Sequence, residues 1–114
     1  MREKDNIVTS VCDTLVSEGM IEAYAYDHFR ESEAVPLPFA VYRRVAQNNF
    51  SADDKVYFRG GGVDLEIYAS TPDEMTTIMT RAEALLDGND IYYECTADTV
   101  YIESEDFYET LYEL

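Results

Sequence analysis

One stretch, residues 63 to 88, constrains the fold most, because it predicts a strand followed directly by a helix. Apolar residues at 63, 65, 67 and 69 alternate with Asp64, Glu66 and Tyr68, which is the pattern of a strand with one buried face. The residues from Thr71 to Glu74 provide an N-cap, a proline at the first helical position and a capping-box glutamate. The helix then carries one apolar stripe, made of Met75, Ile78, Met79, Ala82, Leu85 and Leu86. Gly88 is predicted to end it, so this stretch is a scaffold rather than an active site.

The other predicted elements surround this unit in the order helix, strands, helix, strands. An amphipathic first helix is predicted over residues 3–18, and Gly19 ends it. Strands are predicted over residues 20–26, 39–47, 91–95, 99–103 and 107–114, with a turn at 96–98. This order favours an α+β fold with two helices packed on one face of a largely antiparallel sheet.

The length of the chain favours one domain. A chain of 114 residues is long enough for a single core and too short for two ordinary ones, so we predict one domain over residues 1–114. Pro36 and Pro38 disfavour regular structure, which indicates a loop or arm at about residues 27–38. Turn-forming residues and the glycines from Gly60 to Gly62 indicate a hairpin tip at about residues 48–62.

The charge of the chain is strongly negative and unevenly distributed. The formal net charge is -16, and residues 60–114 hold fourteen acidic residues against one basic residue, Arg81. Such a chain does not bind nucleic acid by releasing counterions. It could instead repel passing DNA, mimic DNA toward a basic partner, or simply stay soluble. No apolar run is long enough to span a membrane and no signal peptide is recognisable, so we expect the protein to be made in the cytoplasm.

No residue pattern in the sequence indicates catalysis or metal binding. Cys12 and Cys95 lie far apart with no Cys-X-X-Cys or Cys/His cluster, and we predict that both are buried. His28 is the one histidine, and it lies in a polar loop without a recognisable nucleophile. The three glycines lack the Lys-Ser/Thr pair and the helix of a phosphate loop. We therefore expect no enzymatic activity, no catalytic residue, no cofactor and no metal site.

Tyrosine is unusually frequent, and its distribution suggests two roles. The chain has ten tyrosines, of which five follow residue 90: Tyr92, Tyr93, Tyr101, Tyr108 and Tyr112. Tyrosine suits ordinary strand packing, and on an exposed sheet face it also suits protein interfaces. Both interpretations stay open from the sequence.

Several segments resemble one family of phage proteins. They are Pro36–Tyr42 (PLPFAVY), Asn49–Asp53 (NFSAD), Val63–Tyr68 (VDLEIY), Tyr101–Tyr108 (YIESEDFY) and Leu111–Glu113 (LYE). Together they resemble the tail terminator (tail completion) proteins of long-tailed phages of Gram-positive bacteria, over about residues 36–114. The first helix resembles the family only in being a helix. The run of glycines from Gly60 to Gly62 departs from the family's pattern.

The resemblance implies a structural role in the virion. It implies an α+β subunit that forms a ring, typically of six copies, at the head-proximal end of the tail. Its expected partners are further copies of itself, the tail tube protein and the head-completion or connector protein. DNA is expected to pass through the ring without specific binding, and no membrane is involved. Assembly is expected in the host cytoplasm.

Two sets of residues are candidates for these contacts. The predicted subunit or tube interface consists of Phe50, Tyr57, Phe58, Arg59, Arg43 and Arg44. The acids predicted to face the lumen of the ring are Asp98, Glu103, Glu105 and Asp106. The first set combines aromatic and basic side chains, and the second would repel DNA phosphates.

Other functions remain open on the sequence alone. An acidic protein of this size could be a DNA-mimic inhibitor of a nucleic-acid-binding enzyme, with carboxylates in place of phosphates. Another neck or minor tail component would share the fold and the interface chemistry, and a small enzyme is the remaining alternative. Self-association separates the first two, because a ring requires it and a DNA mimic does not.

Overall fold

The structure is a computed structural model that describes residues 3–30, 34–45 and 62–114. These residues form two helices and five strands. In chain order they are α1 (Glu3–Ser17), β1 (Ala23–Tyr26), β2 (Phe39–Val45), β3 (Gly62–Ala69), α2 (Pro72–Gly88), β4 (Glu94–Ile102) and β5 (Phe107–Glu113). Apart from Gly62, the predicted hairpin tip lies outside the described residues. So do the predicted interface residues Phe50, Tyr57, Phe58 and Arg59.

The five strands form one mixed sheet in the order β1-β2-β3-β5-β4. β1 is parallel to β2, and every other neighbouring pair is antiparallel. α1 packs against β1, β2 and β3, and α2 packs against β3 and β5. Both helices thereby cover the sheet face that carries Leu65, which is fully buried. The predicted α+β fold, with two helices on one face of a largely antiparallel sheet, is confirmed.

The first helix forms where its apolar spacing predicts it. Val8, Val11, Cys12 and Leu15 point into the core and are buried. Gly19 follows the helix with a φ of 76°, a left-handed conformation that glycine adopts without steric cost. The chain then reaches β1 three residues later than the predicted strand start.

The second helix starts as predicted, but Asn89 rather than Gly88 caps its C-terminal end. The Thr71 hydroxyl accepts a hydrogen bond from the backbone N–H of Glu74 at 3.1 Å, and the Glu74 carboxylate accepts one from the N–H of Ser70 at 2.9 Å. At the other end Gly88 is the last helical residue, as predicted. The cap is made by Asn89, whose side-chain amide donates to the carbonyl of Leu85 at 2.8 Å.

The predicted pair of strands at 91–95 and 99–103 is wrong. Residues 94–102 form one strand, β4, which pairs with β5 along its length. Residues 96–98, where a turn was predicted, lie within the strand, and the pairing register of β4 with β5 shifts around them. Thr99 has a φ of 54°. The turn lies instead at residues 103–106, where the backbone N–H of Asp106 donates to the carbonyl of Ile102 at 2.8 Å.

The two cysteines have different surroundings. Cys12 is buried as predicted, and burial raises the pKa of its thiol to about 12. Cys95 is exposed, so the prediction that it is buried is wrong. The physical reason is that Cys95 lies on β4 at the edge of the sheet, whereas the helices pack on the strands further in.

Candidate interaction surface

The described residues present several exposed surfaces that could make contacts. Among them, no group of three or more His, Cys, Asp or Glu side chains is arranged to hold a metal ion. The imidazole of His28 is 73% exposed, and its Nδ1 lies 2.9 Å from the carboxylate of Asp27. No helix in the described part of the chain is long and apolar enough to cross a membrane. A shallow groove along the outer side of α2 is lined by Met20, Thr76, Thr77, Thr80, Arg81 and Ala84.

Of the predicted interface residues, Arg43 and Arg44 lie in the described part of the chain, at the end of β2. The Arg43 guanidinium forms two hydrogen bonds with the carboxylate of Glu66, at 2.9 and 3.3 Å, and another with Asp27 at 3.2 Å. Arg44 pairs with Asp5, a nearly buried carboxylate on α1. Both arginines therefore hold elements of the fold together, and each side chain also remains partly exposed.

The guanidinium of Arg44 has an aromatic neighbour that the sequence analysis missed. It lies 5.2 Å from the centre of the Tyr26 ring, within the range of a cation–π contact. Tyr26 is 44% exposed, and Val45 beside Arg44 is 37% exposed. The alternation of residues in β1 could have indicated the position of this ring, because it places Tyr24 and Tyr26 on the same face of the strand.

The predicted lumen acids lie at the opposite side of the sheet and are exposed. Glu103, Glu105 and Asp106 lie in the β4–β5 turn, whereas Asp98 lies on β4. Asp106 accepts a hydrogen bond from the hydroxyl of Tyr101 at 2.7 Å. Three of the four acids are thus brought together in one turn, and whether they face a lumen stays a prediction.

The late tyrosines divide between the core and the surface. Tyr112 is fully buried, and Tyr93 and Tyr108 pack against the core. Tyr92 and Tyr101 are 76% and 47% exposed, and Val100 is exposed as well. The exposed members lie just before β4 or on it, at the edge of the sheet, where no other described strand pairs. The packing interpretation therefore holds for Tyr93, Tyr108 and Tyr112, and an interface role for Tyr92 and Tyr101 stays a prediction.

The sheet face opposite the helices combines aromatic rings with carboxylates. Phe39, Tyr68 and Phe107 come from three neighbouring strands, and the ring of Tyr68 lies 5.2 Å from that of Phe39 and 5.0 Å from that of Phe107. The Tyr68 hydroxyl donates to the carboxylates of Glu66 and Glu109 at 2.9 and 3.0 Å. Burial, followed by the charge of Glu66, raises the pKa of this tyrosine.

A row of carboxylates crosses the same face near the other strand ends. Glu94, Glu113 and Asp64 are direct cross-strand neighbours on β4, β5 and β3. Like charges placed opposite each other destabilise a sheet. Burial and then the charge of Glu113 raise the pKa of Asp64, while Arg43 on the next strand lowers it.

Comparison with known proteins gives one similar structure. No protein-family model matches this chain, and no curated protein matches it. The fold is similar to that of the bacteriophage SPP1 gp17 protein, with a TM-score of 0.45 and 13% sequence identity, over 95% of this chain and 88% of that one. A likeness at this level carries no argument about what this chain binds or assembles with.

Proposed function

We propose that this chain is a structural subunit of a phage tail that forms a ring at the head-proximal end of the tail tube and joins it to the head connector. The observation that carries the proposal is the exposed edge of the sheet, where β4 presents Val100 and Tyr101 to solvent after the exposed Tyr92. Aromatic side chains are enriched in protein interfaces. The proposed partners are further copies of the chain, the tube protein and the connector protein, and the proposed role includes no enzymatic activity.

The segments that resemble tail terminators support the proposal because they are neighbours in space. Pro36–Tyr42 includes most of β2, and Val63–Tyr68 lies on β3, with Phe39 opposite Tyr68 and Tyr42 opposite Leu65. The segment 101–108 forms the β4–β5 turn and its flanks. Apart from Asn49–Asp53, which lies outside the described residues, the resembling segments therefore cover one contiguous part of the sheet.

The charge also suits a ring through which DNA passes. Residues 89–114 contain eight acidic residues and neither lysine nor arginine. Phosphates that pass such a surface gain no binding energy, and at physiological salt the repulsion fades within about 8 Å. DNA is therefore expected to move through the ring without sticking to it.

The test is to locate the chain in particles. We expect an antibody or gold label on this chain to mark the upper end of the tail tube in electron micrographs of purified tails. Averaged images of these tails should show a closed ring of several copies. A label elsewhere on the particle would indicate another neck or minor tail component, and a single copy on assembled tails would contradict the ring.

The acidic segment also favours a second candidate function, a DNA mimic that inhibits a nucleic-acid-binding enzyme. This candidate predicts that the chain remains monomeric, is missing from tails and competes with DNA for a basic groove. The mass of the chain in solution, alone and with tail-tube protein, separates the two functions. Recruitment to tubes supports the ring, and a constant monomer mass with displacement of DNA from an enzyme supports the mimic.

A further inference from the structure

The aromatic cluster on the sheet face opposite the helices consists of Phe29, Phe39, Tyr68 and Phe107. The ring of Tyr68 lies beside those of Phe39 and Phe107, with centre-to-centre distances of 5.2 and 5.0 Å. Phe29 joins from the segment after β1, and its ring meets that of Phe39 edge-on at 5.2 Å. All of these rings are half-buried. They make a continuous aromatic surface on the face of the sheet that α1 and α2 leave open.

The hydroxyl of Tyr68 has two carboxylate neighbours and one hydrogen. It lies 2.9 Å from the carboxylate of Glu66 and 3.0 Å from that of Glu109. A phenol has one hydrogen to donate, so it cannot give both carboxylates a full hydrogen bond at the same time. The Arg43 guanidinium also donates to Glu66, at 2.9 and 3.3 Å. Among the described residues, Tyr68 is the donor that reaches Glu109, so Glu109 has acceptor capacity left for a ligand.

Glu109 lies at the border of the aromatic cluster and is within reach of solvent. On β5 it is the direct cross-strand neighbour of Tyr68 on β3 and of Val100 on β4. Phe107 lies two residues away and therefore on the same face. Glu109 is half-buried, and Val100 beside it is 44% exposed. A ligand that approaches the open face can therefore contact the carboxylate and the rings together.

The charge around the cluster favours a cationic ligand. The exposed acids of the turn at residues 103–106 come directly before Phe107. Residues 89–114 contain neither lysine nor arginine. Among the described strand residues, Arg43 is the basic side chain on this face, and it is bound to Glu66. The field at the cluster therefore attracts cations and repels anionic ligands.

We infer that Glu109 and the aromatic cluster receive an arginine side chain of a partner protein. A guanidinium is planar, so it can lie against the rings of Tyr68 and Phe107 while its N–H groups donate to Glu109. A lysine ammonium has no flat surface to stack on a ring. An uncharged side chain gains nothing from the surrounding acids. The inference does not depend on the proposed ring, because it concerns the chemistry of the bound side chain.

The first test uses N-acetyl-arginine amide as the probe, because it carries the side chain as a protein presents it. In NMR titrations of the full chain, the probe should shift the ring signals of Tyr68 and Phe107. Glu109→Gln should weaken binding about fivefold to tenfold, because it keeps the shape of the side chain and removes its charge. Glu94→Gln is the matched control. It removes one charge from the same face beside Glu113, which is about 13 Å along β5 from Glu109.

Analogues of the probe separate charge, stacking and source. N-acetyl-citrulline amide has nearly the same shape without the charge, and it should not bind up to about 100 mM. N-acetyl-lysine amide should bind more weakly than the arginine probe, because it does not stack. Free arginine should also bind more weakly, since its own carboxylate approaches the acids of the turn at residues 103–106.

Several results would overturn the inference. Equal weakening by Glu109→Gln and Glu94→Gln would reduce the effect to general charge. Equal binding of the citrulline or lysine analogue would remove the preference for arginine. Tighter binding of free arginine than of the capped probe would assign the site to an amino acid instead of a partner protein. Ring signals that stay unchanged up to about 100 mM arginine probe would exclude the site.

Failure of this inference is distinguishable from failure of the proposed function. If the arginine probe does not bind while labelled tails carry a ring, the ring stands and the arginine site is wrong. If the probe binds as expected and tails carry no ring, the site stands and the proposed function is wrong.

Discussion

At the scale of single residues, Tyr112 shows how a polar group is accommodated beneath the helices. Its ring is fully buried, and its hydroxyl donates to the carboxylate of Glu83 on α2 at 2.6 Å. The ring of Tyr93 meets it edge-on, with the ring centres 5.7 Å apart. Burial, followed by the bond to Glu83, raises the pKa of Tyr112 above the usual tyrosine value.

This environment predicts a loss of stability at alkaline pH. Above about pH 10 the unfolded chain ionises Tyr112 while the folded chain keeps it protonated, so the native state binds more protons and stability falls as pH rises. Tyr112→Phe should cost about 1–2 kcal/mol near neutral pH and make the decline less steep. Denaturant unfolding between about pH 8 and pH 11 measures both effects. Tyr92→Phe, at an exposed site, is the control, and an unchanged pH slope in Tyr112→Phe would contradict the assignment.

At the scale of elements, the sequence predicts β3 and α2 well and the edge strand β4 poorly. The start of α2 was predictable because cap, proline and apolar stripe agree, whereas β4 was not, because the turn formers at 96–98 fit a bulge as well as a turn. The apolar periodicity of a helix also cannot tell which of two adjacent apolar residues is more buried. Leu86 is fully buried, while Leu85 is only half-buried.

The candidate surface was predictable in part for similar reasons. Arginines and exposed acids were visible as charges, so Arg43, Arg44 and the acids of the 103–106 turn could be proposed directly. Tyr26 and Val45 could not, because exposure at a strand end depends on where neighbouring strands stop. The carboxylate partners of both arginines also depend on pairing between residues far apart in the chain.

The difference between the two leucines gives a test of the helix orientation. Leu86→Ala should destabilise the protein by about 2–5 kcal/mol, because it leaves a cavity in the core. Leu85→Ala should cost less, because solvent already reaches that side chain. Urea unfolding of the two variants measures the difference. Equal losses would show that α2 is rotated relative to the orientation described above.

At the scale of the whole molecule, acidity acts through the arrangement of charges as well as through their number. Glu94, Glu113 and Asp64 repel one another across three strands, whereas Glu66 is bound by Arg43 and by the hydroxyl of Tyr68. Carboxylates on one sheet face therefore contribute to stability with opposite signs.

Substitution of these acids should separate the two contributions. Asp64→Asn should stabilise the protein by about 0.5 kcal/mol at low salt, because it removes a repulsive neighbour of Glu113. Since the pKa of Asp64 is raised, its cost is present near neutral pH and is relieved as pH falls through that pKa, so the gain should vanish in acid. Glu66→Gln should destabilise instead. Thermal unfolding at low and high salt measures both, and a gain from Asp64→Asn that high salt leaves unchanged would exclude charge as its cause.

The irregular pairing of β4 has a consequence for how the protein meets others in a crowded cell. An edge strand with a regular row of unpaired N–H and C=O groups is a template on which further strands add without limit. The register shifts near Cys95, Ala97 and Val100, together with the left-handed Thr99, break that row. We therefore expect this edge to resist the addition of further strands, so that contacts there are made by side chains.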